Sequence, residues 1–122
     1  MLIPFLISKI HDARVTGADI NYSGSIAIDT EIMKKANLRE FQKVDVYNIN
    51  NGQRLSTYVI AAQAGSKAFI LNGAAARLVA VGDRIIVAAY ALLDERELNS
   101  LNAPILLMDE KNNIERVLSG KL

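Results

Sequence analysis

Val44-Asp45-Val46-Tyr47-Asn48-Ile49, Asn50-Asn51-Gly52 and Arg54-Leu55-Ser56-Thr57-Tyr58-Val59-Ile60-Ala61-Ala62 together decide the fold class. The two outer segments are short and rich in β-branched and aromatic residues, as strands are. Between them, asparagine and glycine tolerate the positive φ of a tight turn. The stretch is expected to be a β-hairpin.

The same pattern continues outward. Toward the N-terminus, Ser25 to Ile28 is short and extended. Ile3 to Ile10 reads as a first strand, and Arg14 to Asn21 continues it or forms a second. Asp29, ahead of Thr30-Glu31-Ile32-Met33-Lys34-Lys35-Ala36, predicts a capped helix. Ile28 and Met33 occupy hydrophobic-staple positions, and Lys34 and Lys35 suit the negative end of the helix dipole. Toward the C-terminus, Gly65-Ser66 turns into a strand over Lys67 to Leu71. Asn72-Gly73 breaks that strand, and Ala74-Ala75-Ala76 starts a helical turn. Val81-Gly82-Asp83 leads into a buried strand, Arg84 to Leu92. Asp94-Glu95-Arg96-Glu97 resembles a capping box opening a short helix that ends near Leu101. Ile105 to Met108 and Ile114 to Leu118 flank a turn at Lys111-Asn112-Asn113. Many short strands with two brief helices predict a mainly β chain, folded as a small β-barrel. A partner subunit would cover its edges and exposed apolar surface.

Composition narrows the function classes. No linker divides the chain, so residues 1–122 are expected to form a single barrel domain. Net charge is +1, which offers no general field for nucleic acid or an anionic membrane. The absence of cysteine excludes disulfides, thiolate catalysis and sulfur metal sites. His11 is the only histidine and cannot build a zinc site by itself, so no metal is expected. Met1 to Ile7 is apolar, but it has no basic lead and is interrupted by Pro4, unlike a secretory signal. The longest clean apolar run, Ile85 to Leu93, is shorter than the roughly 20 residues a spanning helix needs. A soluble, cytoplasmic protein is expected.

Four clusters carry candidate chemistry. Tyr22-Ser23-Gly24-Ser25 is either a flexible turn or a self-cleavage site. Glycine admits strained backbone and leaves its carbonyl unshielded, and the next residue offers a hydroxyl to attack it. Arg54-Leu55-Ser56-Thr57-Tyr58 is either an ordinary amphipathic strand or a substrate-binding one. Alternation points Arg54, Ser56 and Tyr58 one way, Leu55 and Thr57 the other. A twist or bulge could bring Thr57 and Tyr58 into one site, but the sequence does not show one. Asn72-Gly73-Ala74-Ala75-Ala76 is either a strand end before a helix of small residues or a surface that lets a small ligand approach backbone N–H groups. Lys9 and His11 share one face of the first strand, a weak signal alone.

In order and spacing these pieces resemble the aspartate 1-decarboxylase family, which makes β-alanine for pantothenate. The stretches that carry the resemblance are Lys9-Ile10-His11, Ala18-Asp19-Ile20-Asn21-Tyr22-Ser23-Gly24-Ser25, Asn51 to Tyr58, Asn72 to Ala76 and Val81-Gly82-Asp83. Tyr47 stands where some members carry tryptophan, which alters the pocket wall there. The resemblance implies a small double-psi β-barrel with short helices, and a homotetramer with active sites between subunits. It implies self-cleavage between Gly24 and Ser25 into a β chain, residues 1–24, and an α chain, residues 25–122. It implies a covalently bound pyruvoyl group derived from Ser25, decarboxylating L-aspartate to β-alanine and CO2. In that scheme Thr57 stabilises the cleavage oxyanion and Asn72 orders the pyruvoyl region. Arg54 and Lys9 hold the substrate carboxylates, with His11 in support and Thr57 also in contact. Gly73, Ala74 and Ala75 line the pocket, and Tyr58 returns the proton. Besides L-aspartate and the chain itself, the partners open to it include an accessory maturation factor.

Two other readings compete. A non-enzymatic β-barrel module for binding or assembly explains the strands equally well but predicts no internal scission. A pyruvoyl decarboxylase of another amino acid keeps Ser25 but has no use for a cation matched to a second carboxylate, which is what Arg54 offers.

Overall fold

A computed structural model describes residues 1–121. Its strands are β1 (Leu2–Arg14), β2 (Gly17–Asp19), β3 (Ser25–Asp29), β4 (Lys43–Asn48), β5 (Arg54–Ala62), β6 (Phe69–Asn72), β7 (Arg84–Asp94), β8 (Ala103–Met108) and β9 (Ile114–Gly120). They form one nine-stranded sheet in the order β2-β6-β3-β5-β4-β7-β1-β8-β9. The expectation of a mainly β, barrel-like chain with short helices is met.

The β4–β5 hairpin follows the sequence reading. Tyr47 pairs with Arg54, and Gly52 at φ +76° closes the turn. The ladders β1–β8, β2–β6 and β3–β5 are parallel, whereas β1–β7, β3–β6, β4–β5, β4–β7 and β8–β9 are antiparallel. Parallel pairs need crossover connections, so the chain is no simple meander.

The curl of the sheet follows from chain length. β1 lies near one end of the strand order and β2 at the other, yet only Val15 and Thr16 separate them. That link reaches on the order of 10 Å, so the two ends must approach each other. Thr16 N–H donates to the Phe69 carbonyl at 2.9 Å, and Val15 N–H to the Asp83 carbonyl at 2.9 Å. Buried Asn112, at φ +59°, adds a tie from the β8–β9 turn. Its amide binds the Arg14 backbone at 2.7 and 2.9 Å and the Lys67 carbonyl at 2.9 Å. No ladder pairs β2 with β9 among the described residues. The core is the inner face of this curled sheet, where Ile10, Ile26, Val46, Val59, Phe69 and Ile85 are fully buried.

Helix α1 (Thr30–Lys35) starts where Asp29 predicts, with the Asp29 carboxylate accepting from Glu31 N–H at 2.8 Å. The same carboxylate accepts from Gly65 N–H at 3.1 Å and Lys67 N–H at 2.7 Å. Burial raises its pKa, but these backbone donors outweigh it and hold the carboxyl below its ordinary value.

Several boundaries differ from expectation, among them β1, which runs on to Arg14 rather than ending at Ile10. The strand placed at Lys67 begins at Phe69, because Lys67 sits at φ +58° with its N–H committed to Asp29. The break placed at Asn72-Gly73 falls after Asn72, which pairs with both Asp19 and Ser25. The helical turn read at Ala74-Ala75-Ala76 and the short helix read after Asp94 are both present, as 3-10 helices over Gly73–Leu78 and Glu95–Ser100. The capping box is present, with Asp94 N–H donating to the Glu97 carboxylate at 2.9 Å. No described helix is long and apolar enough to cross a membrane.

Candidate active site

Ser25 opens β3 and is 1% exposed, although residues 20–24 before it form an exposed turn. Its neighbour on β6 is Asn72, whose Nδ2 donates to Ser25 Oγ at 3.1 Å. Asn72 stands at the cap position of the following 3-10 helix but gives it no side-chain hydrogen bond. The side chain that could have capped the helix is spent on the serine hydroxyl. Gly73 then turns at φ +68° and lies directly against the Gly24 backbone.

The β3–β5 ladder starts at Ile26↔Val59. One residue back on each strand stand Ser25 and Tyr58, and Gly24 precedes the start of β3. Residues level in a parallel pair share a face. The structure therefore brings Gly24, Ser25, Asn72 and Gly73 together, with Tyr58 beside Ser25, whereas Thr57 lies on the other face of β5. Lys43↔Tyr58 and Val44↔Thr57 are successive partners, so no bulge unites the faces of Thr57 and Tyr58. Thr57 points toward the side of buried Val44, and Tyr58 is 38% exposed on the outer face.

A second group lies farther along the same outer face. His11 pairs with Ile86, Ile86 with Tyr47, and Tyr47 with Arg54. Lys9 pairs with Ala88, Ala88 with Asp45, and Asp45 with Ser56. Lys9, His11 and Arg54 thus share one surface across four strands. The Arg54 guanidinium rests 3.9 Å from the centre of the Tyr47 ring, a cation–π contact. Among the described residues neither Arg54 nor Lys9 is ion-paired. His11 Nδ1 is shielded from solvent and has no hydrogen-bond partner among the described residues.

Alternation along single strands missed the support for Arg54. The Tyr47 hydroxyl lies 3.0 Å from the Tyr90 hydroxyl and donates to Asp45 at 3.4 Å, while Ser56 Oγ donates to Asp45 at 2.5 Å. Burial, the Tyr90 hydrogen bond and the nearby Tyr90 and Asp45 charges push the Tyr47 phenol up to about 12, against a partial offset from Arg54. A shallow cleft of about 320 Å³ opens beside Lys43, Asp45, Ser56 and Tyr90, and one of about 250 Å³ beside Tyr47 and Arg54. The polar residues on β4 were visible in the sequence, but their partner Tyr90 comes from β7, and no local signal gives that register.

A sequence profile described as aspartate decarboxylase matches residues 1–115. The chain belongs to the aspartate decarboxylase family. Its relatives include the aspartate 1-decarboxylase of Aliarcobacter butzleri (strain RM4018), 56% identical over 96% of this chain and 92% of that protein. The aspartate 1-decarboxylase of Wolinella succinogenes is 52% identical, covering 96% and 97% of the two chains. That of Saccharophagus degradans is 50% identical, covering 95% and 92%. Every residue of both groups lies within the matched span. Membership in the aspartate decarboxylase family makes the chain an enzyme and sets aside the non-enzymatic barrel module.

Proposed function

We propose that this enzyme decarboxylates L-aspartate to β-alanine and CO2, feeding pantothenate and coenzyme A synthesis, with a pyruvoyl group made from its own Ser25. The observation that carries the proposal is the setting of Ser25. A buried hydroxyl is held by Asn72 beside a glycine whose backbone is pinned by Gly73. An ordinary surface turn needs none of these. They fit a residue that must become a small carbonyl group at the start of a strand.

The maturation steps balance. Ser25 Oγ adds to the Gly24 carbonyl carbon, its proton passes to the Ser25 nitrogen, and the C–N bond breaks to leave an ester. Asn72 orients the hydroxyl, and Thr57 is the donor to the developing oxyanion. Loss of the Ser25 Cα proton then expels Oγ with the Gly24 carboxylate. Water enters, ammonia leaves, and a keto group remains at the head of residues 25–122. That group supplies an electron sink for the pair released with CO2.

The remaining roles fall to side chains on the outer face. Arg54, unpaired and stacked on Tyr47, grips one substrate carboxylate in a bidentate way. Lys9 is the second cation, and His11, whose Nδ1 has no internal partner, supports it. Tyr58, level with Ser25, returns the proton to the substrate carbon. The backbone of Gly73, Ala74 and Ala75 lines the pocket. Two unpaired cations favour a dicarboxylic substrate over other amino acids. Ser25→Ala should abolish both scission and β-alanine formation. An uncut Ser25→Ala chain that still releases CO2 from aspartate would refute the cofactor assignment.

A further inference from the structure

The contact between Gly73 and Gly24 is closer than packing alone requires. A Cβ at Gly73 would lie 2.7 Å from Gly24 Cα, 2.8 Å from Gly24 N and 3.2 Å from the Tyr22 carbonyl oxygen. All three are backbone atoms, so no flexible side chain can yield. Carbon atoms pack at about 3.5–4.0 Å, so the two segments would have to part by about 1 Å.

Gly73 is not the partner that gives way. It follows Asn72, which is 5% exposed and clamped between Asp19 on β2 and Ser25 on β3. Gly24 is exposed and lies outside any strand, so it moves. Ser25 stays, because it is paired with Asn72 and its hydroxyl is held by the same residue. The carbonyl to be attacked would shift while the attacking oxygen remained in place.

We propose that Gly73 is a positioning residue for self-cleavage, its missing side chain setting where the Gly24 carbonyl lies relative to Ser25 Oγ. This rests on the reading that the chain cuts itself between Gly24 and Ser25. It gives Gly73 a task before the pocket has any substrate to line. A displacement of about 1 Å costs a reaction on the order of a hundredfold.

The experiment separates close approach from backbone strain. Gly73→Asn keeps a residue type that accepts positive φ but adds the Cβ. Gly52→Ala carries the strain, at φ +76°, with nothing within 4 Å of the new Cβ. Freshly purified full chains are incubated, and scission is followed by intact mass, with circular dichroism as the check on folding. Wild type and Gly52→Ala should cut alike. Gly73→Asn and Gly73→Ala should fold yet cut on the order of a hundredfold more slowly. Wild-type cleavage rates in folded Gly73 variants would overturn the proposal. Loss of the fold in both Gly73 variants, with Gly52→Ala folded, would equally overturn it by making Gly73 a residue of the whole fold. A wild-type chain that remains whole would instead sink the cleavage reading beneath it.

Discussion

Arg54 shows how its surroundings can prepare a single side chain for the role proposed for it. A guanidinium on an exposed strand is ordinarily mobile, and ordering it costs side-chain entropy. Here it rests on a ring whose hydroxyl is fixed by Tyr90 and Asp45, so part of that cost is met before any ligand arrives. Arg54→Ala should leave Gly24-Ser25 scission intact and lower kcat/KM for aspartate by about 10–100-fold, the worth of a charged hydrogen-bond pair. Tyr47→Leu should raise KM by a smaller factor with kcat little changed, and Tyr47→Trp should restore it. Steady-state kinetics on the matured variants check all three. The sequence made Arg54, Ser56 and Tyr58 legible as one face, because strand alternation is local. The contact between Tyr47 and Tyr90 was not legible, since it depends on the β4–β7 register between segments about forty residues apart. The separation of Thr57 from Tyr58 was legible and holds for the same local reason.

At the scale of elements, Asp29 joins α1 to the turn before β6. Its capping role could be read from the order Asp-Thr-Glu, but its bonds to Gly65 and Lys67 join segments far apart in sequence. Asp29→Ala should destabilise the chain by about 1–3 kcal/mol, removing the helix cap and leaving the Gly65 and Lys67 N–H groups without this partner. The carboxyl is held below its ordinary value of 3.8, so the folded chain favours the charged form. Its contribution is full above pH 3.8 and falls away as pH drops through the depressed folded-state value. Denaturant midpoints measured across that range should converge for wild type and Asp29→Ala at the acid end. A gap of constant size would contradict the assignment. The helical turn in Gly73–Leu78 was legible from its alanines, but its 3-10 form was not, since it depends on how Gly73 is placed against Gly24.

For the whole molecule, the two groups of site residues stand apart. Ser25 is level with Tyr58, and Arg54 lies four residues back along β5, about 13 Å away. Under the proposed function, the reacting group and the carboxylate-binding group lie at separate places on one chain, an arrangement that a site shared between subunits would explain. Exposed apolar residues such as Leu2, Leu92 and Val117 offer surface for that association. Assemblies formed from Ser25→Ala chains and Arg54→Ala chains together should regain part of the activity that each lacks alone. Assays on co-expressed mixtures test this, and mixtures no better than the sum of the separate variants would place both groups in one chain. The barrel-like curl was legible only as a class. What forces it is the two-residue link from β1 to β2, and that constraint appears only once the strand order is known.

The most direct measurement is the intact mass of freshly purified wild-type protein, combined with labelling by a carbonyl-reactive hydrazide. The account predicts two fragments that part after Gly24, the larger one lacking a free terminal amine and taking up the label. One unbroken, unlabelled chain that nonetheless converts aspartate to β-alanine would contradict it.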